Sequence, residues 1–589
     1  MATTSINEEA LPSIADPPGR LSELAARWRR PLVAIPLGVI AFLLVGPSIL
    51  LMLFTAFRTG GLLDSNVTFT LDNLRLVYAT PQFLHSLEDT LILAISSSLI
   101  ATFIGSAFAW LVTRTNVPFA RTLETFIIAP LFISPFVGAI AWQLLGSTKV
   151  GFIDAAVRAI FGGSGALVNI QSIPGIVWVM TIYYVPYGYL FVSGALRNMD
   201  PALEESSAMN GAGTLRTAMR ITLPLARPAV LSALFFVFIL AASEFAIPSV
   251  LSPSVAFQPL SMQVFTFSQT FPISYGGAAA TGTMLFLMTV IGVTLYRRAV
   301  GNSARFVTVT ARGYRSRRVP LGPWRWVGLI ACVLYLTVAI VLPYLCLIYV
   351  SVTSFISPNV LTAHYSLTDL TTTLSSPLVH SAILNTLIVG VVAPSACVIL
   401  GLGIAYVTQR MKVKGSAVLS YLATTPIAVP GIVFGTGIML AYVVTPLYGT
   451  VWLIAIAFIA VYLPQTLRIA ETGLAQVDKA LEEASTMCGA GLGRTLAKVT
   501  MPLIKPSLLA SWILVFIFSV REISAAVMLY GPDSAVLSVL TWDSLDQGDV
   551  EKAAILGLVQ TVFMLVGILI ARYVLRVKLA SSQVGGRVS

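Results

Sequence analysis

Long apolar runs separated by short polar segments dominate the chain. A bilayer core about 30 Å thick takes about 20 apolar residues of helix to cross. Runs of that kind lie at approximately 32–57, 86–113, 123–146, 173–195, 229–251, 276–299, 324–355, 382–408, 416–442, 451–470, 507–530 and 553–575. The pattern predicts an all-α membrane protein with twelve transmembrane helices. The mostly polar residues 1–31 precede the first run, which is longer than a signal-peptide core and has no small-residue cleavage site after it; it reads as a retained span behind an N-terminal tail. The two longest connections, far beyond the few residues that joining two helices takes, are the polar segments 196–228 and 475–506, between spans four and five and between spans ten and eleven.

Those two segments are copies of each other. Leu203-Glu204-Glu205-Ser206-Ser207-Ala208-Met209-Asn210-Gly211-Ala212-Gly213 aligns with Leu481-Glu482-Glu483-Ala484-Ser485-Thr486-Met487-Cys488-Gly489-Ala490-Gly491 at an offset of 278. The register runs ungapped from Pro186/Pro464 through Pro224/Pro502 to Glu244/Glu522. Earlier in the halves it becomes 296 (Thr90/Thr386, Arg114/Arg410, Pro130/Pro426), because the first half carries a longer loop around 147–172. The chain therefore reads as two tandem six-span units, 32–299 and 324–576, joined by a basic linker at 300–323 and followed by a tail at 577–589. Both units start on the same side of the membrane, which implies a pseudo-two-fold axis along the membrane normal. Each repeated segment predicts a hairpin: a helix from about Pro201 (Asp478), a turn at Gly211 (Gly489), and a second helix closed near Pro224 (Pro502).

Composition and charge sharpen this picture. With 57% apolar and 10% charged residues and a mean hydropathy of +0.87, the chain is not a soluble globule, in which about 25% of residues are charged. The formal net charge of +11 does not signal nucleic acid, because Lys and Arg collect in alternate loops. Of the 36, 30 fall on one side if the N-terminus is cytoplasmic, so the positive-inside rule places both termini, the linker and both hairpins in the cytoplasm. Cys332, Cys346, Cys397 and Cys488 are scattered without metal or disulfide spacing. No GxxxxGK[ST] occurs, so the chain lacks the backbone cradle and lysine for nucleotide phosphates. With no GxSxG or HExxH either, an enzyme is not predicted.

Here the hairpin residues become specific. Glu205-Ser206-Ser207-x3-Gly211-x9-Ile221-x-Leu223-Pro224 and Glu483-Ala484-Ser485-x3-Gly489-x9-Val499-x-Met501-Pro502 resemble the EAA loop of bacterial ABC-importer permeases. The resemblance implies two MetI-like (type I ABC importer) halves in the cytoplasmic (inner) membrane, with each hairpin docked on one subunit of a separate homodimeric ATPase. Glu205 and Glu483 would then hold or cap the hairpin, and Gly211 and Gly489 would allow its tight turn. ATP and Mg would be bound by the partner subunits and no cofactor by this chain, and a periplasmic or extracytoplasmic binding protein would deliver substrate.

Ionisable residues inside spans are costly and mark function by default. Glu244 and its equivalent Glu522 fall within runs five and eleven and are the candidates for the translocation pathway and for contact with a metal cargo. The fused two-half chain, with Ser243-Glu244-Phe245-x2-Pro248 and Arg521-Glu522-Ile523-Ser524-Ala525, is similar to ferric-iron importer permeases. Fe(III) is a hard cation that suits carboxylate and phenolate oxygen, which Glu244, Glu522 and tyrosines such as Tyr183, Tyr184, Tyr187 and Tyr462 would supply. Thiamine, a phosphonate or a polyamine are the alternative cargoes, and a twelve-span secondary transporter is the rival from another class. His85 and His380 precede runs two and eight, where Ser86 and Ser381 are expected to cap the helix starts.

Overall fold

The computed structural model describes residues 20–59, 68–148, 151–161, 168–200, 202–252, 257–303, 319–357, 363–411, 413 and 415–575. Residues 1–19 of the predicted N-terminal tail, the tail at 577–589, the linker core 304–318 and Pro201 lie outside the described residues. The first helix runs from Arg20 to Ala56, across the boundary expected at residue 31.

Ten helices among the described residues are long and apolar enough to cross a bilayer. The other two apolar runs, expected as straight spans at 123–146 and 416–442, are broken. Ala120–Phe132 meets Pro135–Leu145 at a bend of 93°, and Ser416–Ala428 meets Gly431–Tyr442 at 115°. Proline explains both breaks. The residue before a proline is pushed out of the helical region, and Ser134, before Pro135, lies at φ −72°, ψ 121°. Val429, before Pro430, is extended likewise at φ −111°, ψ 120°. Irregular backbone at membrane depth is tolerated where protein buries it or a cavity lies beside it.

Two further spans are displaced relative to the sequence reading. The helices expected at 229–251 and 507–530 begin earlier and end earlier, at Ala218–Ala242 and within Leu492–Arg521. The second hairpin helix does not close at Pro224 or Pro502. It passes through a π-turn (Ala218–Thr222 or Leu496–Thr500) straight into the long helix, with the proline in the turn that follows. The same order, π-turn then proline, recurs at Thr337–Val341 and Pro343. A proline ring has no N–H and collides with the carbonyl four residues back; widening the preceding turn to i→i+5 removes that collision. The serine caps are also corrected. The Pro81–Arg114 helix starts five residues before Ser86, capped by the Thr80 side chain, and the Pro377–Tyr406 helix starts at Pro377, after Ser376.

The halves interlock. The first helix packs against Ser416–Thr424, Gly431–Tyr442 and Val451–Ala475 of the second half, where Tyr442 donates to the Leu43 carbonyl at 3.1 Å. Reciprocally, the first span of the second half packs on the first half, and Tyr335 donates to the Ile182 carbonyl at 2.9 Å. Each half is built around one close helix pair, Pro81–Arg114 with Ile173–Asn198 and Pro377–Tyr406 with Val451–Ala475. Small residues permit that approach. A Cβ added at Gly105 would stand 2.6 Å from both Tyr189 N and Val185 O, so backbone, not a flexible side chain, would have to move. Gly105→Leu is expected to cost at least about 3 kcal/mol by overpacking and to eliminate the monodisperse peak of a fluorescently tagged chain in detergent. Gly194, in the same pair of helices but with nothing within 4 Å, should accept leucine with the peak retained.

Candidate functional site

The breaks and the early helix ends converge on one central cavity of about 520 Å³. Its wall is formed by the bends at Pro130–Pro135 and Pro426–Gly431, by the helix ends at Ser243–Glu244 and Arg521–Ser524, and by tyrosines of the Ile173–Asn198 and Val451–Ala475 helices. Glu244 and Glu522, placed inside straight spans by the sequence, sit instead just beyond their helix ends. Where each helix stops inside the protein, the chain that leaves it presents N–H groups that need acceptors, and the two carboxylates accept from them in matched fashion. Glu244 accepts from Tyr184 Oη at 2.5 Å and from Ala246 N at 2.9 Å. Glu522 accepts from Tyr462 Oη at 2.7 Å and from Ala525 N at 3.3 Å. Their carbonyls accept from Ser261 Oγ and Ser538 Oγ, each at 2.7 Å. Each carboxylate thus fixes the chain's exit from a broken helix while standing on the cavity wall.

Next to the paired glutamates the duplication breaks in charge. Arg521 has Ser243 as its counterpart, so beside the two glutamates a guanidinium stands in the second half only. Its Nη1 donates to the Leu131 carbonyl at 2.7 Å and, more weakly, to that of Ile133 at 3.4 Å, across the bend of the opposite half. Its Cζ lies 4.8 Å from the centre of the Phe518 ring, a cation–π arrangement. No ion pair joins Arg521 to Glu522 among the described residues, as expected for adjacent residues. Lining residues continue to Tyr296, Arg297 and Arg468. Among the described residues no group of three or more His, Cys, Asp or Glu is placed to hold a metal ion; the cavity wall offers Glu244 and Glu522 with the tyrosine hydroxyls bonded to them.

The hairpins form the second part of the site. Ala202–Met209 and Lys479–Met487 are their first helices, each entered through an aspartate, Asp200 or Asp478, that accepts from a backbone N–H at 2.9 or 3.0 Å. Gly211 and Gly489 both lie at φ +79°, in the left-handed region where glycine has no steric penalty, and the turns close with Ala212 N→Ser207 O and Ala490 N→Ser485 O, both 3.1 Å. Met209 and Met487 stand at the tips, each 89% exposed.

The carboxylates that brace the hairpins are not the ones singled out from the sequence. Glu205 and Glu483 are exposed. Glu204 accepts from Thr222 Oγ1 at 2.7 Å and lies 3.6 Å from Arg114 Nη1; Glu482 accepts from Thr500 Oγ1 at 2.9 Å and lies 3.4 Å from Arg410 Nε. Arg114 and Arg410 were visible only as equivalent positions in the repeat. That an arginine recurs at the same end of the same span was the available signal.

Comparison with known proteins places this geometry in context. The family model "Binding-protein-dependent transport system inner membrane component" matches residues 97–308 and again 397–577. A ferric transport system permease protein FbpB of Actinobacillus pleuropneumoniae is 27% identical over 498 residues, covering 82% of this chain and 70% of its own. A putative ferric transport system permease protein FbpB 1 of Haemophilus influenzae is 27% identical over 478 residues, covering 80% and 74%. A crystal structure of a bacterial ABC transporter involved in the import of the acidic polysaccharide alginate aligns at 18% identity and a TM-score of 0.40, over 49% of this chain and 99% of that one.

Proposed function

The chain belongs to the inner membrane components of binding-protein-dependent transport systems, and from that premise we propose that it moves ferric iron into the cytoplasm, driven by a separate ATPase dimer docked on its two hairpins. It is a multi-pass, fused two-half ABC importer permease, carrying both family units in one polypeptide. The cargo, the ATPase and the sidedness are the proposal. Thirty of the 36 Lys and Arg residues support a cytoplasmic position for both termini and for the hairpins. The hairpins support docking in that both copies expose apolar side chains at equivalent positions, Leu203 and Met209 in one and Leu481 and Met487 in the other, and it is exposed apolar residues in groups, not singly, that mark interaction surfaces.

The observation that carries the iron reading is the matched pair Tyr184–Glu244 and Tyr462–Glu522 on one cavity wall. Carboxylate and phenol oxygens are the donors a hard trivalent cation prefers, and two relatives similar over four-fifths of this chain are named for ferric transport. The test is to co-express the chain with its candidate ATPase and extracytoplasmic binding protein, reconstitute the complex, and load the binding protein in turn with Fe(III), thiamine or a phosphonate. Ferric loading is expected to stimulate ATP hydrolysis and to deliver iron to the vesicle lumen. A response to an organic ligand alone would remove iron and keep the permease; uptake driven by an ion gradient without ATP would remove the ATPase.

A further inference from the structure

Arg114 and Arg410 lie at the ends of the two helices that pack most closely in each half, and each gathers three other elements. Arg114 Nη2 donates to the carbonyls of Leu196 and Met199 at 2.7 and 3.2 Å, at the close of the Ile173–Asn198 helix. Arg410 Nη2 donates to Leu474 and Val477 at 2.8 and 2.6 Å, at the close of Val451–Ala475. Cations favour helix C-termini, where carbonyls have no partner. The same guanidinium reaches Glu204 or Glu482 of the hairpin's first helix, and that glutamate is bonded to Thr222 or Thr500 in the π-turn that leads into the next span. The arginine side chains are 3% and 9% exposed and the glutamates 10% and 12%. A pair so sheltered is screened far less than a surface ion pair.

Both halves hold the same four-point arrangement: membrane helix end, second helix end, hairpin helix, π-turn. Two copies in one chain, at sequence offsets that differ for the arginine and the glutamate (296 and 278), put the arrangement beyond coincidence of local sequence. Meanwhile the hairpin tip beyond it is bare. A tip that docks on a moving partner can pull on the spans only through whatever fastens its base. Resting on the ATPase-driven reading above, we propose that Arg114–Glu204–Thr222 and Arg410–Glu482–Thr500 are clasps, with Arg114 and Arg410 as positioning residues that transmit movement of the docked hairpins to the membrane helices.

The test uses the full reconstituted complex and reads iron delivered per ATP hydrolysed. Glu204→Gln with Glu482→Gln keeps an acceptor for each threonine and removes the charge facing each arginine. The ATPase is expected to remain bound and basal hydrolysis to persist, while iron delivered per ATP falls about tenfold, because the sheltered ion pair at the base of each hairpin is lost. Arg114→Lys with Arg410→Lys keeps charge but not the fork and should fall between. A structural defect alone would lower the amount of complex and leave the ratio untouched, so an unchanged ratio in the glutamine variant overturns the clasp. Should that variant fail to assemble, Thr222→Val with Thr500→Val keeps the charges and is expected to lower the ratio; no change there overturns the clasp equally. Absence of ATP-dependent uptake by the unmodified complex removes the transport reading itself, and the clasp's role with it.

Discussion

Met209→Asp combined with Met487→Asp is expected to abolish ATP-driven uptake and to strip the ATPase from the purified complex, while the chain itself folds as before. Both side chains are 89% exposed, so their removal leaves no cavity and disturbs no packing within the chain. Methionine is flexible and polarizable and suits an apolar docking surface. An anchor at the centre of such a surface is worth about 2 kcal/mol or more. Two anchors on two hairpins then sum to about 4 kcal/mol, or about a thousandfold in affinity at 1.4 kcal/mol per decade. Aspartate adds the cost of burying a charge against the partner. Co-elution of the ATPase with a tagged chain measures the outcome, and a full complement of ATPase on the double variant would move the docking surface elsewhere. The turns behind the tips offer a contrast. Nothing lies within 4 Å of a Cβ at Gly211 or Gly489, so only the left-handed backbone resists substitution. Asparagine, which tolerates that conformation, should keep the ATPase where valine loses it.

How far the sequence anticipates this molecule depends on the range of each interaction. The number and position of apolar runs, the duplication and the existence of two polar hairpins are properties of contiguous sequence, and the structure places helices at all twelve runs. The breaks at Pro135 and Pro430 were legible in principle, since Ser134-Pro135 and Val429-Pro430 sit mid-run, yet hydropathy is blind to direction: a re-entrant pair and a straight span are equally apolar. The positions of Glu244 and Glu522 beyond their helix ends follow from the same blindness. The exchange of first helices between halves is a packing fact that no local pattern encodes. Glu204 and Glu205 look alike in the sequence until a helix turns one inward, and only the fold brings Arg114 across ninety positions of sequence to meet Glu204.

Glu244→Gln with Glu522→Gln is the variant that separates charge from architecture inside the cavity. In the native chain each carboxylate accepts from a tyrosine hydroxyl and a backbone N–H. Truncation to alanine would orphan those buried donors at about 1–3 kcal/mol apiece and loosen both helix ends, so loss of activity would not distinguish a cargo contact from a collapsed wall. Glutamine is close in shape and retains an acceptor oxygen for one donor at each site. What it removes is two negative charges. A unit charge pair 4 Å apart is worth about 4 kcal/mol at an effective dielectric constant of 20. A trivalent cation crossing between neutral amides, with Arg521 still on the wall, loses that attraction, and after its own hydration offsets most of it the barrier stands higher by a net few kcal/mol. Ferric uptake is expected to fall by more than about a hundredfold, some 3 kcal/mol, while the ATPase stays bound and its basal turnover continues, because the hairpins and their bases are untouched. An uncharged organic cargo would lose little. Retained ferric uptake in an assembled glutamine variant would leave Glu244 and Glu522 as pins for broken helices and place the path of the ion on other oxygens.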